Sequence, residues 1–404
     1  MKKQKSGKIL LLKSILILSA GVLAGSFMGC ESRGSERAGK LTGNVVKAQE
    51  NSGNTENDTE YDTKDDIIVT MAQEILEGMT LEEKVGQMFV ARCPKENAAV
   101  KAAEYHLGGY ILFGRDISGK TREEVVQDIR SYQEAAEIPL FIGVDEEGGT
   151  VNRVSKNPQL RAAPFWSPQK LYREGGFELV RSDTKEKCDL LRSVGINLNM
   201  APVCDVSENP KDFIYRRSFG QNAGHTADYV QAVVEVMDEE NMGSVLKHFP
   251  GYGNNVDTHI GIAYDERSYE TFLTADFLPF QSGIDSGADM VLVSHNIVKC
   301  MDEQYPASLS LKVHEILRKE LRFSGIILTD DLAMEAVGDF VPDTQAAVLA
   351  VQAGNDIVCC TDFEVQMPAV LAAVQRGEIS EERIDESVLR ILKCKIERGI
   401  LGSI

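Results

Sequence analysis

Short apolar runs recur along most of this chain, each closed by glycine, proline or a charged residue. They span Gly86–Ala91, Gly109–Phe113, Leu140–Val144, Ile196–Pro202, Ser244–His248, Met290–Ser294, Ile326–Thr329 and Asp356–Cys359. Several are apolar almost throughout instead of alternating, as expected of parallel strands covered on both faces. Helix-patterned stretches lie between them: Thr121–Glu137, Asp183–Val194, Thr226–Met242, Tyr269–Ser286, Ser310–Leu321, Asp343–Ala353 and Ser380–Lys395. In the first of these, Val125, Ile129, Tyr132 and Ala136 keep one face apolar. Thr80 followed three residues later by Glu83 has the spacing of a capping box. The last helix carries Ile384, Val388, Ile391, Leu392 and Ile396 and meets a stop at Arg398-Gly399. Strands alternating with helices in this number predict an α/β fold, a single (β/α)8 TIM-type barrel, with functional groups at the C-terminal strand ends. A doubly wound sheet is the alternative, but no Gly-x-Gly-x-x-Gly or Walker motif follows a strand, so nucleotide binding has little support.

The N-terminus breaks this pattern. Lys2, Lys3 and Lys8 precede an apolar run from Ile9 to Met28, ending in Gly29-Cys30. A charged segment followed by such a run is the pattern of an export signal, and the small residue before Cys30 resembles a lipoprotein signal in which that cysteine is lipidated. A retained transmembrane anchor is the rival reading, the run being about 20 residues, long enough to span. Either places the rest of the chain outside the cytoplasmic membrane and attached to it. Residues 31–64 are polar and acidic with almost nothing apolar, so they are expected to form a flexible linker. The expected organisation is therefore a signal segment over 1–30, a linker over 31–64 and a catalytic barrel over 65–404.

A net charge of −19 argues against nucleic acid or an anionic membrane surface as partner. Beyond Cys30 the cysteines are Cys93, Cys188, Cys204, Cys300, Cys359, Cys360 and Cys394, with no Cys-x-x-Cys pair. Neither a structural zinc site nor a redox dithiol is suggested, and buried free thiols are the expectation.

Polar residues fall where a barrel would use them. Asp145, Asp205, Lys247/His248, Ser294/His295 and Asp330/Asp331 all end predicted strands. Adjacent residues on an extended segment point opposite ways, so one of Asp330 and Asp331 faces the cavity. Asp330 is the candidate nucleophile, and Asp331 caps the next helix or accepts backbone N–H groups. Asp257 and His259 stand two apart on a loop after the fifth strand. Asp257 can hold one imidazole nitrogen while the other meets a bound oxygen, an acid/base arrangement with an ordinary pKa near 6.5. Alone, such a pair is more often surface decoration or a metal ligand, and the metal reading weakens because no second histidine or carboxylate stands at ligand spacing. Lys247 can donate to a hydroxyl, or form a structural salt bridge. Asp145 can accept from two hydroxyls, with Gly148-Gly149 allowing close backbone approach; Arg153 and Arg217 are further donors. Asp205 is a candidate to orient Arg217 or a ligand, and His295 a satisfied rim histidine. Trp166 can stack on a sugar ring, though packing is its commoner use.

These residues resemble glycoside hydrolase family 3, specifically its NagZ-type β-N-acetylglucosaminidase branch. The resemblance runs from about Ile67 to Gly399. It rests on Asp145-x-Glu-Gly-Gly with Arg153, Arg217-Ser-Phe-Gly, Lys247-His248-Phe249-Pro250-Gly251, Asp257-x-His259, and Thr329-Asp330-Asp331-Leu332 with Met334. It implies a retaining exo-enzyme acting on terminal β-linked N-acetylglucosamine, with Asp330 as nucleophile, His259 as acid/base and Asp257 as its partner. It further implies that Asp145, Arg153, Arg217, Lys247 and His248 bind the sugar, with no metal or organic cofactor. Two positions depart from the family: Tyr252 stands where a histidine is usual, and Thr150 replaces an arginine. A family-3 β-glucosidase, a glycoside phosphorylase and a glycan-binding surface lipoprotein without activity are the competing readings. No protein partner is indicated.

Overall fold

The structure is a computed structural model that describes residues 64–255, 261, 263–338 and 340–402. The export-type segment with Cys30 and the linker up to residue 63 lie outside the described residues. Lys64 already opens a helix, Lys64–Glu77.

Eight parallel strands form one sheet: β1 (Phe89–Arg92), β2 (Gly109–Leu112), β3 (Phe141–Val144), β4 (Leu198–Asn199), β5 (Gly243–Phe249), β6 (Met290–Val293), β7 (Ile326–Thr329) and β8 (Val358–Cys360). Their order is β8-β1-β2-β3-β4-β5-β6-β7. A parallel bridge between Leu328 and Ile357 joins the two ends, so the sheet closes on itself. This is the (β/α)8 barrel that the apolar runs predict, and each strand falls within or beside its expected run.

Helices cover the outside because the strands present apolar side chains to both faces. Helix Phe277–Asp285 packs on β5 through Phe277 and Phe280, whose rings lie 5.5 and 5.1 Å from that of Phe249. Gly283 makes the approach possible, since a Cβ there would sit 2.6 Å from Leu246 Cδ2. Leu246 is fully buried, and its truncation to alanine is worth about 2–5 kcal/mol. The expected capping box is present: Glu83 N–H donates to Thr80 Oγ1 (3.3 Å) while Thr80 N–H donates to Glu83 Oε2 (2.6 Å).

Some elements differ from expectation. The stretch expected from Asp183 begins at Pro168 and runs to Ser193, interrupted by non-helical backbone at Gly175 and Gly176. Tyr269–Ser286 and Ser310–Leu321 each contain a π-helical turn, at Phe272–Asp276 and Ile316–Glu320. After β8 there are two helices, Phe363–Gln375 and Glu381–Glu397, so the final amphipathic helix is an addition to the ring. A small ladder, Tyr264–Asp265 with Ile297–Val298, forms beyond the end of β6. Among the described residues no helix is long and apolar enough to cross a membrane.

Candidate active site

The charged residues gather at the C-terminal mouth of the barrel. Asp145 follows β3, and Glu147, two residues on, shares its side of the extended backbone. Lys247 reaches them from β5, where pairing with β6 shifts register between Leu246 and Phe249. Such irregularities re-aim side chains, and here both Lys247 and His248 serve the mouth. Lys247 Nζ lies 2.7 Å from Asp145 Oδ1 and 2.7 Å from Glu147 Oε1. Arg217, at the end of the 3-10 turn Phe213–Arg216, grips Glu147 through Nε (3.0 Å) and Nη2 (2.7 Å).

Two cations thus alternate with two carboxylates in a largely enclosed space. Burial alone would raise the Glu147 carboxyl, but Lys247 and Arg217 outweigh it and hold the group well below the usual carboxylate range. Burial likewise opposes the charge on Lys247, and Asp145 and Glu147 reverse that, leaving its pKa above the ordinary value. Glu147 is 2% exposed and Asp145 20%, so Asp145 faces the opening. Among the described residues two of the three Lys247 donors are committed, and the lysine, Arg217 and Asp145 set donors and an acceptor at the mouth, the chemistry that a polyhydroxylated ligand needs.

His248 is oriented from both sides. Arg217 Nη2 lies 3.1 Å from its Nε2, and a guanidinium can only donate. The network therefore assigns the proton to Nδ1, which donates to Asp205 Oδ2 at 2.7 Å. Asp205 also accepts the backbone N–H of Tyr252 (2.7 Å). Asp205 thus orients His248 and the start of the next loop, where the sequence suggested Arg217 or a ligand. Tyr252 packs edge-on against His248, ring centroids 5.2 Å apart.

Glu146 points the other way and folds the loop that carries Arg153. Its Oε2 accepts from the N–H of Arg153 (2.8 Å) and Val154 (2.7 Å), and its Oε1 from Ser155. Arg153 Nη2 then stands 4.0 Å from Asp145 Oδ2. The two glycines have a structural reason distinct from ligand approach. Gly148 and Gly149 have φ of 98° and 65°, and a Cβ on Gly148 would sit 2.2 Å from the Trp166 carbonyl oxygen. Trp166 is 45% exposed, with Lys170 Nζ 3.5 Å from its ring centroid, so it is not a core packer.

Across the mouth, Asp330 follows β7, and its N–H extends the ladder to Val293 O (3.1 Å). Asp331 turns away: its carboxylate accepts from Ala333 N–H (3.0 Å), Thr361 N–H (3.1 Å) and Thr361 Oγ1 (2.5 Å). Asp331 thus accepts backbone N–H groups, and its own N–H donates to Asp330 Oδ1 (2.9 Å). The Cys359 thiol records the shared neighbourhood. Burial pushes it up first, then the charges of Asp331, Asp330 and, more weakly, Asp145. His295 is a satisfied rim residue, bonded to Ser308 Oγ (2.7 Å) and the Asp331 carbonyl oxygen (3.1 Å). No two of the described cysteines are joined to each other; most are buried, but Cys300 is exposed and Cys359 half-buried.

Asp257 and His259 lie outside the described residues. The stretches on either side of them are fastened by Arg267. Its guanidinium binds Gly251 O (3.0 Å), Asp265 Oδ2 (2.7 Å) and Asp276 Oδ2 (2.9 Å), and Asn255 Nδ2 also reaches Asp265 (2.7 Å). Gly251, φ 123°, leaves no room for a side chain, a Cβ falling 2.2 Å from Asp276 Oδ1.

The structure therefore brings Asp145, Arg153, Arg217, Lys247 and His248 together on the rim that also carries Asp330. The sequence reading missed Glu147 as the hub, Asp205 as the partner of His248, and Arg267. The available signal for Glu147 was its i+2 spacing from Asp145 on extended backbone. The only described His/carboxylate group close enough to hold a metal is Glu83, His106 and Glu137, whose ligand atoms lie within 4.8 Å of one another. It sits at the opposite barrel end, and Glu83 is already committed to the capping box.

Comparison with known proteins agrees with this geometry. The glycosyl hydrolase family 3 N-terminal domain matches residues 80–394. A β-hexosaminidase of Xanthomonas campestris pv. campestris (strain B100) is 32% identical over 234 residues, covering 57% of this chain and 70% of the relative. One from Xylella fastidiosa (strain M23) is 31% identical over 301 residues, covering 73% and 86%. The solved family 3 β-N-acetylglucosaminidase from Paenibacillus sp. str. FPU-7 superposes with a TM-score of 0.75 at 32% identity, over 81% of this chain but 64% of its own length. The chain belongs to glycosyl hydrolase family 3 and is a glycoside hydrolase.

Proposed function

We propose that the protein is a retaining exo-β-N-acetylglucosaminidase. It removes terminal β-linked N-acetylglucosamine from peptidoglycan fragments or chitin-type oligosaccharides outside the cytoplasmic membrane, held there through a lipidated Cys30. The observation that carries this reading is the alternating network of Asp145, Lys247, Glu147 and Arg217 on the rim that holds Asp330. Relatives named β-hexosaminidase and β-N-acetylglucosaminidase point to the sugar.

In this mechanism Asp145, Arg153, Arg217 and Lys247 bind the hydroxyl and carbonyl oxygens of the terminal sugar, and His248 lines the same site by holding Arg217 in place. Asp330 attacks the anomeric carbon while the bond to the departing oxygen breaks, and His259, oriented by Asp257, gives that oxygen a proton. The acid/base group then deprotonates water, which displaces Asp330 and returns the sugar with its original configuration.

The test is turnover of an aryl β-N-acetylglucosaminide against the matched aryl β-glucoside, with the first-formed anomer read by NMR. Preference for the N-acetyl sugar and release of the β-anomer are expected. Release of the α-anomer would overturn retention, and equal turnover of both glycosides would overturn the sugar assignment.

A further inference from the structure

Exposed aliphatic and exposed aromatic side chains occupy different parts of this surface. Among the described residues the large exposed aliphatics, Ile67, Val100, Leu273, Leu278, Leu311 and Val365, all lie on helices. The exposed aromatics all lie on segments that leave the C-terminal ends of the strands: Trp166 after β3, Phe213 after β4, Tyr264 after β5 and Tyr305 after β6. Their exposures run from 36% for Tyr305 to 54% for Tyr264. Scattered exposed aliphatics are ordinary on a protein surface. Four aromatics on four successive segments around one opening are a pattern that marks a binding surface.

The rim fixes these rings beside the sugar-binding mouth. The Phe213 ring stands 5.8 Å from that of Tyr252, which stands 5.2 Å from that of His248, so two ring contacts join Phe213 to the site. The Trp166 backbone packs against Gly148, next to Glu147, and Gly149 N–H donates to the Phe165 carbonyl oxygen (3.0 Å). Gln169 Nε2 donates to the Tyr215 carbonyl oxygen (2.6 Å), tying the Trp166 segment to the Phe213 turn. Further round, Tyr264 pairs with Ile297 in the small ladder, and the Tyr305 ring meets that of Phe340 edge-on at 5.6 Å.

A pyranose has polar edges and apolar C–H faces, and a rigid aromatic ring covers such a face at little entropic cost. The mouth supplies polar contacts for one terminal sugar; the arc supplies face contacts outside it. Resting on the proposed glycosidase reading, we infer that the arc binds the rest of the substrate, a β-linked hexosamine chain several sugars long whose terminal residue sits in the mouth. Added sugars meet further rings, so longer chains are the better substrates.

The experiment measures kcat/KM on the dimer, tetramer and hexamer of β-linked N-acetylglucosamine, with an aryl β-N-acetylglucosaminide reporting basal turnover. The wild-type enzyme is expected to favour the hexamer over the dimer by about tenfold or more, mainly through KM. Phe213→Ala and Trp166→Ala should each remove most of that advantage and leave the aryl glycoside unchanged, and Phe213→Tyr should keep it. Equal wild-type turnover of dimer and hexamer, or variants that slow the aryl glycoside as much as the hexamer, would overturn the assignment. If Trp166→Ala unfolds through the Gly148-Gly149 segment, Phe213→Ala decides. A peptide-bearing disaccharide turned over faster than the hexamer, with that advantage lost in Phe213→Ala, would give the rings to a peptide and overturn the glycan. If no β-N-acetylglucosaminide is turned over, the glycosidase reading fails by itself, and binding then judges the arc. Trp166 is the only tryptophan of the chain, so its fluorescence reports the rim directly. A fluorescence change with the hexamer that N-acetylglucosamine alone does not produce supports the arc, and no change with the hexamer refutes it.

Discussion

Lys247 and Lys395 are both enclosed, at 2% and 0% exposure, yet they sit at opposite ends of the barrel in opposite electrostatic settings. At the mouth, Lys247 stands between two carboxylates, each 2.7 Å away. At the floor, Lys395 meets the neutral Gln87 amide oxygen (2.7 Å) and the face of Phe141 (5.0 Å to the centroid), with no carboxylate paired to it among the described residues. Burial therefore pushes Lys395 down to about 7, while the carboxylates keep Lys247 charged. The same residue type is ionic machinery in one place and close to a neutral packing group in the other. Enclosure alone does not mark a functional charge; the partners do.

The contrast predicts unequal responses. Asp330→Ala is expected to have the largest effect, lowering kcat on the order of 10⁴-fold or more with little change in Tm. Turnover that survives the substitution would remove Asp330 from bond-making. Lys247→Met removes the cation that lies between Asp145 and Glu147 and leaves Arg217 as the counter-charge of Glu147. It should cost about 3–5 kcal/mol in urea unfolding and weaken sugar binding. His259→Ala should lower turnover of poor leaving groups by about 10²–10⁴-fold and spare activated aryl glycosides. An equal loss on both classes would mean that His259 is not the acid.

The smallest effect on turnover belongs to the floor. Lys395 has a folded pKa of about 7, below its ordinary value of 10.5. Between those values the unfolded chain binds more protons, so stability rises with pH across that window and is flat with respect to this group below it. Lys395→Met should abolish that slope, spare turnover, and raise stability near neutrality by a few kcal/mol (~1.4 kcal/mol per unit of pKa lowering), because the relief of a buried cation exceeds the loss of a bond to Gln87. A large loss of turnover in Lys395→Met would erase the distinction between mouth and floor.

The barrel was legible because its strands are short apolar runs that end in polar residues, a pattern set by burial on both faces. Helix Phe363–Gln375 was not, being apolar nearly all round and carrying Pro368, which reads as a break. The start of the helix at Pro168 was hidden by Gly175-Gly176. β4 is shorter than Ile196–Pro202, since the side chain of Asn197 takes over bonds to Ile142 N–H (2.8 Å) and Leu140 O (3.0 Å). At the site, motif residues were visible one at a time, whereas Glu147 gains its role only when Lys247 and Arg217 arrive from remote sequence. Arg267 was equally invisible, because its targets at Gly251, Asp265 and Asp276 are brought together only by the fold.

The most direct test of the account is to find the carboxylate that bonds to the sugar. Incubation with a slow-turnover fluorinated β-N-acetylglucosaminide, followed by proteolysis and mass spectrometry, should place a glycosyl adduct on the peptide ending β7, at Asp330, and Asp330→Ala should abolish it. An adduct on Asp145 or any other carboxylate, or steady turnover with no adduct and an α-anomeric product, would contradict it.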